Sequence, residues 1–178
     1  MDYAKLVLAL NTEKIGPELF QVIVNAPFDQ ESEVAFMYLG IIVLLLVDVE
    51  SGTIDRIAMS DSDMAKDIIR VSNIPFEDIR IPLGDKDNII ARAIKTGKPK
   101  DTTDWRFIYS PVLKTEEAHI NQASSGVSYS AVYPLKISNG GALIFSYFQF
   151  EGHIGKEQRD FMKNYTDMVA DTLSEHKK

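Results

Sequence analysis

The sequence predicts an α+β fold, in which helices are combined with antiparallel hairpins. Three features carry this prediction. Residues 88–99 combine a helical spacing of apolar side chains with a Thr-Gly-Lys-Pro ending. The pair Asn139-Gly140 separates two apolar segments and is favoured in type I′ hairpin turns. Residues 156–176 form one continuous amphipathic pattern, as expected of a long closing helix.

The first part of the chain predicts helices followed by a buried strand. The apolar segment 6–10 has no assigned form. Pro17 suits the first position of a helix, and Pro27 ends that helix. A second short helix runs to Tyr38. Residues 40–49 are apolar and rich in Ile and Val, as in a strand buried on both faces.

A hairpin and a capped helix are predicted next. Residues 50–52 turn the chain, and 53–59 return with apolar residues at Ile54 and Ile57. The Ser and Asp residues at 60–63 are good helix N-caps. We therefore expect a helix that extends to about residue 72.

The best-defined local element is the helix that starts near residue 88. Asp85 or Asp87 is expected to cap it, and a short strand at 79–81 precedes it. Gly97 suits a left-handed C-terminal residue, and Pro99 prevents continuation. Its buried stripe is expected to consist of Ile89, Ile90, Ala93 and Ile94.

The second half predicts an irregular segment, a hairpin and a helix. Residues 98–126 are irregular, with a short helix opening near Thr115. The strands are expected at 130–137 and 142–150, with the second strand central because it is apolar on both faces. Pro134 lacks an N–H and directs its own strand toward an edge or a bulge.

Composition excludes several classes of function. The 178-residue chain has a formal charge of −7, which is unfavourable for nucleic-acid binding because phosphate contacts require a basic face. It contains no cysteine, which excludes disulfides, thiolate nucleophiles and thioether-linked cofactors. The longest apolar run covers 12 residues at 36–47, and a membrane helix needs about 20. No secretory signal precedes it, so we expect a cytoplasmic protein without membrane insertion.

The order of these elements resembles the GAF domain, a ligand-sensing family related to the PAS fold. The resemblance rests on the 88–99 helix ending in Thr-Gly-Lys-Pro, the Asp104-Trp105 pair, and the hairpin with Ala-Val-Tyr-Pro-Leu and Gly-Gly-Ala-Leu-Ile-Phe-Ser-Tyr. A closing helix opened by Gln158 and Phe161 completes it. It implies one GAF-like domain over residues 1–178, with its core at about 17–176 and an unassigned segment at 1–16.

The resemblance also implies a central antiparallel sheet of about six strands with helices on both faces. A ligand pocket would lie between the sheet and the region 102–129. Members of the family bind cyclic nucleotides, bilins, haem or small effectors, or bind nothing detectable. The Asn-Lys-Phe-Asp-Glu signature of cyclic-nucleotide binding is absent here, and the lack of cysteine excludes a covalently attached bilin.

The candidate ligand-binding residues are Trp105, Tyr109, His119 and Tyr133. The aromatic side chains could line an apolar pocket, or they could be the inner faces of short strands that form plain core. His119 could contact an effector or ligate haem iron, but a single histidine without a second ligand is weak support. The alternative, an exposed side chain on a polar helix, is favoured.

Paired carboxylates at 61/63, 85/87 and 101/104 are best explained by helix and turn capping, and we find no catalytic constellation or metal site. The sequence therefore predicts a non-enzymatic sensory domain that binds a small molecule or relays conformation through its terminal helices. The alternative is a ligand-free dimerisation module. The stripe Phe161, Tyr165, Met168 and Thr172 has the period of paired helices and indicates a homodimer, unless the stripe covers the chain's own sheet.

Overall fold

The computed structural model describes residues 1–11, 14–148 and 154–175. Within these residues, three helices come first and are followed by strands interspersed with helices, as in an α+β fold. The helices are α1 (Tyr3–Leu10), α2 (Pro17–Asn25), α3 (Glu31–Met37), α4 (Asp63–Val71), α5 (Ile89–Thr96), α6 (Arg106–Tyr109), α7 (Thr115–Ser125) and α8 (Lys156–Glu175). The strands are β1 (Leu39–Asp48), β2 (Thr53–Met59), β3 (Arg80–Pro82), β4 (Lys100–Thr102), β5 (Val127–Leu135) and β6 (Gly141–Phe148).

The strands form one antiparallel sheet with the order β3-β2-β1-β6-β5-β4. Gly52 and Gly140 adopt positive φ angles of 69° and 84°, which L-residues with a Cβ disfavour, and the chain turns at both predicted places. The second turn is not the predicted type I′ turn, because Asn139 does not adopt a positive φ angle; the Gly140 N–H instead donates to the Ile137 carbonyl at 3.1 Å. β1 and β6 are central, as their continuous apolar sequences predict. The predicted fold class, six antiparallel strands with helices on both faces, is confirmed.

The two faces of the sheet bury two separate hydrophobic clusters, because successive side chains of a strand point in opposite directions. On β6, Leu143, Phe145 and Tyr147 pack toward the terminal helices, and Ala142 and Ile144 pack toward the other side. The first cluster, which we call the terminal-helix core, contains buried residues of α1, α2, α3 and α8. The second, which we call the α4–α7 core, contains buried residues of α4, α5, α6 and α7.

The terminal helix α8 lies on the terminal-helix core. Phe161, Tyr165 and Thr172 are buried within the chain, and Met168 packs half-buried against the same core. The Tyr165 hydroxyl donates to the Ile23 carbonyl at 2.6 Å, which joins α8 to α2. The stripe therefore covers the chain's own sheet. The predicted end of this helix at residue 176 lies outside the described residues.

The segment 1–16, which the sequence left unassigned, contains α1. The Asp2 side chain caps it by accepting from Ala4 N at 3.1 Å and Lys5 N at 3.3 Å. Leu6 and Leu10 are buried in the terminal-helix core. This part of the chain therefore packs with the same core as α8.

Two local predictions need correction. The N-cap of α5 is Asn88, not Asp85 or Asp87; the Asp85 carboxylate instead accepts from the backbone N–H groups of Asp87 and Asn88 and forms the preceding turn. β5 is an inner strand where β4 pairs with it at 130–132, so the prediction of an edge or a bulge holds only locally: the pairing with β6 shifts register between Val127 and Tyr129. Pro134 lies beyond this short partner, so its missing N–H costs no bond to β4.

The hairpin and the irregular segment are otherwise close to expectation. β5 begins earlier than predicted and β6 ends at Phe148, with the predicted strand residues 149–150 outside the described residues. The segment 98–126 contains β4, α6 and the 11-residue helix α7. Gly97 adopts the predicted left-handed conformation, with φ 62°.

Candidate functional site

A cavity of ≈ 280 Å³ lies on the α4–α7 side of the sheet, bordered by β2, α4, the segment 72–79 and α6. Met59, Ile68, Phe76 and Ile79 give it a largely apolar wall. Other wall residues, Ile69 of α4 and Asn73 and Pro75 of the segment 72–79, are exposed, so the cavity is open to solvent. This apolar, partly enclosed space is the feature of the described residues that best fits a small molecule.

Arg56 supplies the charge in this wall. Its side chain comes from the middle of β2 and leaves only 7% of the residue exposed. The guanidinium carbon lies 4.5 Å from the centroid of the Tyr109 ring and 5.4 Å from that of Phe76. The Nε atom is buried and has no hydrogen-bond partner among the described residues. An arginine with these surroundings is held by aromatic rings rather than by a carboxylate.

The position of Arg56 follows from strand geometry. Ile54, two residues earlier, is fully buried in the α4–α7 core. Since side chains two apart in a strand share a face, Arg56 points to the same side. A charged residue at an inward position of a strand is a signal that the sequence contained, because arginine is almost never fully buried without a partner.

Trp105 and Tyr109 form the floor next to this cavity. They stand four residues apart around α6, so their rings share one side of that turn, with centroids 5.5 Å apart. Both are buried. They line a second space of ≈ 20 Å³ against Ile41 and Ile144 of the sheet, and Arg56 and Ile68 border both spaces. The region 102–129 thus contributes to the wall through α6.

A chain of hydroxyl groups fixes the indole of Trp105. Its Nε1–H donates to the Ser130 hydroxyl at 2.9 Å, and Ser130 lies 2.7 Å from the Ser146 hydroxyl. Both serines are buried. The Trp105 backbone N–H donates to the Gln122 side chain at 3.1 Å, which ties α6 to α7. The indole therefore has one defined position beside the sheet.

Asn88 fixes the other end of α6. Its Oδ1 accepts from Ile90 N at 2.8 Å and Ala91 N at 3.2 Å, and its Nδ2 donates to the carbonyls of Ile108 at 2.8 Å and Ser110 at 2.6 Å. The residue is fully buried. One amide thus caps α5 and holds the chain that carries Tyr109.

The structure places His119 and Tyr133 away from these spaces. The His119 side chain is exposed, and its Nε2 lies 3.0 Å from the Asp104 carboxylate. Burial favours protonated Asp104, but hydrogen bonds from the Arg106 N–H and from His119 outweigh it and lower the pKa of this carboxyl group. The polar-helix interpretation of His119 agrees with this environment.

Tyr133 lies on the opposite face of the sheet from Trp105. Its ring makes an edge contact with Phe145, with centroids 5.9 Å apart, in the terminal-helix core. The four predicted residues therefore do not converge, and only Trp105 and Tyr109 stand together. That an effector contacts them stays a prediction. Sequence reasoning missed Arg56, Met59, Ile68 and Phe76.

Asp61 and Asp104, from the predicted carboxylate pairs, have hydrogen-bond partners within the fold. No group of three or more His, Asp or Glu side chains that could hold a metal ion occurs in residues 1–11, 14–148 and 154–175. Asp61 accepts from the Asn25 side chain at 2.8 Å, and the Asp104 carboxylate accepts from Arg106 N at 2.9 Å. His153 and His176 lie outside the described residues.

Comparison with known proteins finds similarity in structure alone. No protein-family model matches the chain, and no curated protein matches it. The GAF domain of a phosphoenolpyruvate-protein phosphotransferase from Acinetobacter superposes with a TM-score of 0.64 at 10% identity, over 97% of this chain and 90% of that one. The corresponding domain from Coxiella burnetii gives 0.62 at 10% identity, over 99% and 97%.

A third solved structure, residues 122 to 287 of a methyl-accepting chemotaxis protein, gives a TM-score of 0.63 at 10% identity over 96% of both chains. Within the described residues, no helix is long and apolar enough to cross a bilayer. These superpositions extend over nearly the whole chain and match its six-stranded antiparallel sheet with helices on both faces. The chain has the fold of a GAF domain.

Proposed function

We propose that this chain is a non-enzymatic sensory or regulatory domain that binds a small molecule in the cavity beside Arg56. The cavity carries the proposal, because it is open to solvent, largely apolar and positioned between the sheet and the helices α4 and α6. Its ≈ 280 Å³ is near the lower end of the range of about 300–1,000 Å³ for small-molecule sites, which favours a compact ligand. The GAF fold, which is generally regulatory, supports the same class of function.

The proposed setting is the cytoplasm, without binding to nucleic acid or insertion into a membrane. The net charge of −7 supports the exclusion of nucleic acid, because a polyanion would be repelled. Trp105 and Tyr109 are proposed to position the wall of the site through their contacts with Arg56 and with each other. His119 is proposed to serve the α6–α7 junction through Asp104.

Native mass spectrometry tests the proposal on protein purified from the cells that naturally produce it. We expect a bound molecule in the wild-type protein and its loss in Ile68→Trp, since Ile68 lines the cavity and a larger ring would fill it. The matched control is Ile120→Trp, the same change at a residue that is 56% exposed on α7. No retained mass in the wild-type protein, or equal retention in both folded variants, would contradict the proposal.

We also propose a homodimer, formed through α1 rather than through the α8 stripe. Ala4, Val7 and Leu8 are exposed at the i, i+3, i+4 spacing of one helix face, and Leu8 is 69% exposed. α1 packs beside α8, so an interface there would involve both terminal helices. A symmetric pairing of this face would bury the same apolar stripe twice.

Light scattering at micromolar concentration checks the dimer. We expect twice the chain mass of 20.0 kDa for the wild-type protein. Leu8→Glu should return the particle to 20.0 kDa, because a buried carboxylate would face apolar residues of the second subunit. Ile120→Glu, at an exposed site on α7, should leave the dimer intact. A wild-type protein of single-chain mass would exclude the dimer.

A further inference from the structure

The charge balance of the cavity is incomplete. Among the described residues that line it, Arg56 alone carries a formal charge. None of the ion pairs in the described part of the chain includes Arg56, and its buried Nε has no acceptor. Burying a charge without a counter-ion is strongly unfavourable. Arginine cannot relieve this by losing its proton, since its guanidinium stays charged in proteins.

The aromatic rings satisfy only part of this group. Tyr109 and Phe76 interact with the positive charge through their π faces. The five N–H donors of a guanidinium lie in its plane and match the two oxygens of a carboxylate, whereas aromatic rings are weak acceptors. A ligand carboxylate would therefore supply both the missing charge and the missing acceptors.

The rest of the wall defines the remainder of the ligand. Ile68, Phe76 and Ile79 present apolar surface around the guanidinium, and no second cationic residue is present among the described lining residues. The cavity also borders the C-terminal turn of α4, where the helix carries partial negative charge. That environment disfavours a dianion such as phosphate more than it disfavours a single carboxylate.

We propose that the cavity binds a small organic monocarboxylate with an aryl or branched alkyl body, whose carboxylate pairs with Arg56. This assignment rests on the proposed function, since it names the class of molecule that occupies the same site. The carboxylate lies against the guanidinium between Tyr109 and Phe76, and the apolar body lies along Ile68 and Ile79. Arg56 is then a binding residue whose guanidinium has no ion-pair partner among the described residues and gains one from the ligand.

Isothermal titration of the purified protein at neutral pH tests the assignment. The ligands are benzoate and isovalerate, their neutral amides benzamide and isovaleramide, and inorganic phosphate. We expect at least one acid to bind about 10-fold or more tightly than its amide, because charge-assisted hydrogen bonds are the stronger ones. Trp105, the single tryptophan, contacts Tyr109 and should report binding by a change in its fluorescence.

Two variants connect the preference to Arg56. Arg56→Met keeps the length of the side chain and should remove the preference for acid over amide. Arg92→Met, at an exposed site on α5, should retain it. If Arg56→Met does not fold, Arg56→Lys keeps the charge but lacks the planar fork, and should weaken binding of the acid. The affinities of the wild-type protein for each acid and its amide test the carboxylate assignment even if neither variant folds.

Each other outcome has a defined meaning. Amides that bind as tightly as acids and are lost in Ile68→Trp overturn the carboxylate assignment but leave the small-molecule function intact. Binding of inorganic phosphate through Arg56 without binding of either acid also overturns the assignment. Failure of both acids to bind the wild-type protein overturns the carboxylate assignment as well. In that case the mass-spectrometry experiment still tests the proposed small-molecule function by itself.

Discussion

Asn88→Ala is expected to destabilise the fold by about 3 kcal/mol, because the change removes a helix cap and leaves buried carbonyl groups without donors. Asn88 is fully buried and makes two hydrogen bonds to the start of α5 and two to the carbonyls of Ile108 and Ser110. The buried Ile108 carbonyl and the partly buried Ser110 carbonyl would both lose this donor. Chemical denaturation followed by circular dichroism measures the loss.

Two variants separate the parts of this effect. Asn88→Asp keeps the acceptor that caps α5 but replaces the donor with an oxygen that faces the Ile108 and Ser110 carbonyls, so it should also be clearly destabilising. Asp2→Ala removes the exposed cap of α1, and should cost about 1 kcal/mol or less. Equal losses for Asn88→Ala and Asp2→Ala would show that the cross-links from Asn88 to the α6 segment contribute nothing.

Phe145→Ala is expected to cost about 4 kcal/mol, within the range for removing a buried aromatic ring from a core. Phe145 is fully buried on the central strand β6 and makes edge contacts with Tyr133 and Phe161, at centroid distances of 5.9 Å and 5.7 Å. Its loss leaves a cavity between the sheet and α8, which these neighbours fill incompletely. Urea denaturation measures this loss of stability as a lower midpoint with an unchanged m value, the slope of unfolding free energy against urea concentration.

The control for this prediction is Phe36→Ala. Phe36 is 70% exposed on α3, so the same change of residue type removes little buried surface and should shift stability by less than about 0.5 kcal/mol. The loss of stability in Phe145→Leu should lie between those of Phe145→Ala and Phe36→Ala, because leucine retains most of the apolar volume. A midpoint for Phe145→Ala that matches Phe36→Ala would contradict the position of Phe145 in the core.

Local sequence patterns predicted the elements of this fold where apolar spacing and turn chemistry agree. The spacing around Ile90 and the left-handed Gly97 each define an element through neighbouring residues alone, and the structure has both. Asn139-Gly140 marks the place of the β5–β6 turn correctly, but the turn is not of type I′. The Trp105–Tyr109 segment shows the limit. Its alternating aromatic residues are typical of a strand, but the segment forms one helical turn in which Trp105 and Tyr109 share a side and Phe107 is 37% exposed.

The candidate site was harder to predict because its parts are distant in the sequence. Tyr133 and Tyr109 lie on opposite sides of the sheet, because the alternation of β5 directs Tyr133 into the terminal-helix core, whereas α6 packs Tyr109 into the α4–α7 core. Arg56 meets Phe76 and Tyr109 across 20 and 53 residues, contacts that no local pattern specifies. Only the inward direction of the Arg56 side chain could be predicted, because Arg56 lies two residues after the buried Ile54 along β2.

The arrangement of β6 has a consequence for communication across the molecule. Ile144 borders the smaller space beside Trp105, whereas Phe145, joined to it by one peptide bond, contacts Phe161 of α8. A ligand that displaces the backbone of β6 would therefore move both side chains together, and α8 would receive the displacement without any change in secondary structure. A displacement on the ligand side of the sheet would then reach the terminal helices on its other side. A partner domain attached to these helices would need no contact with the ligand.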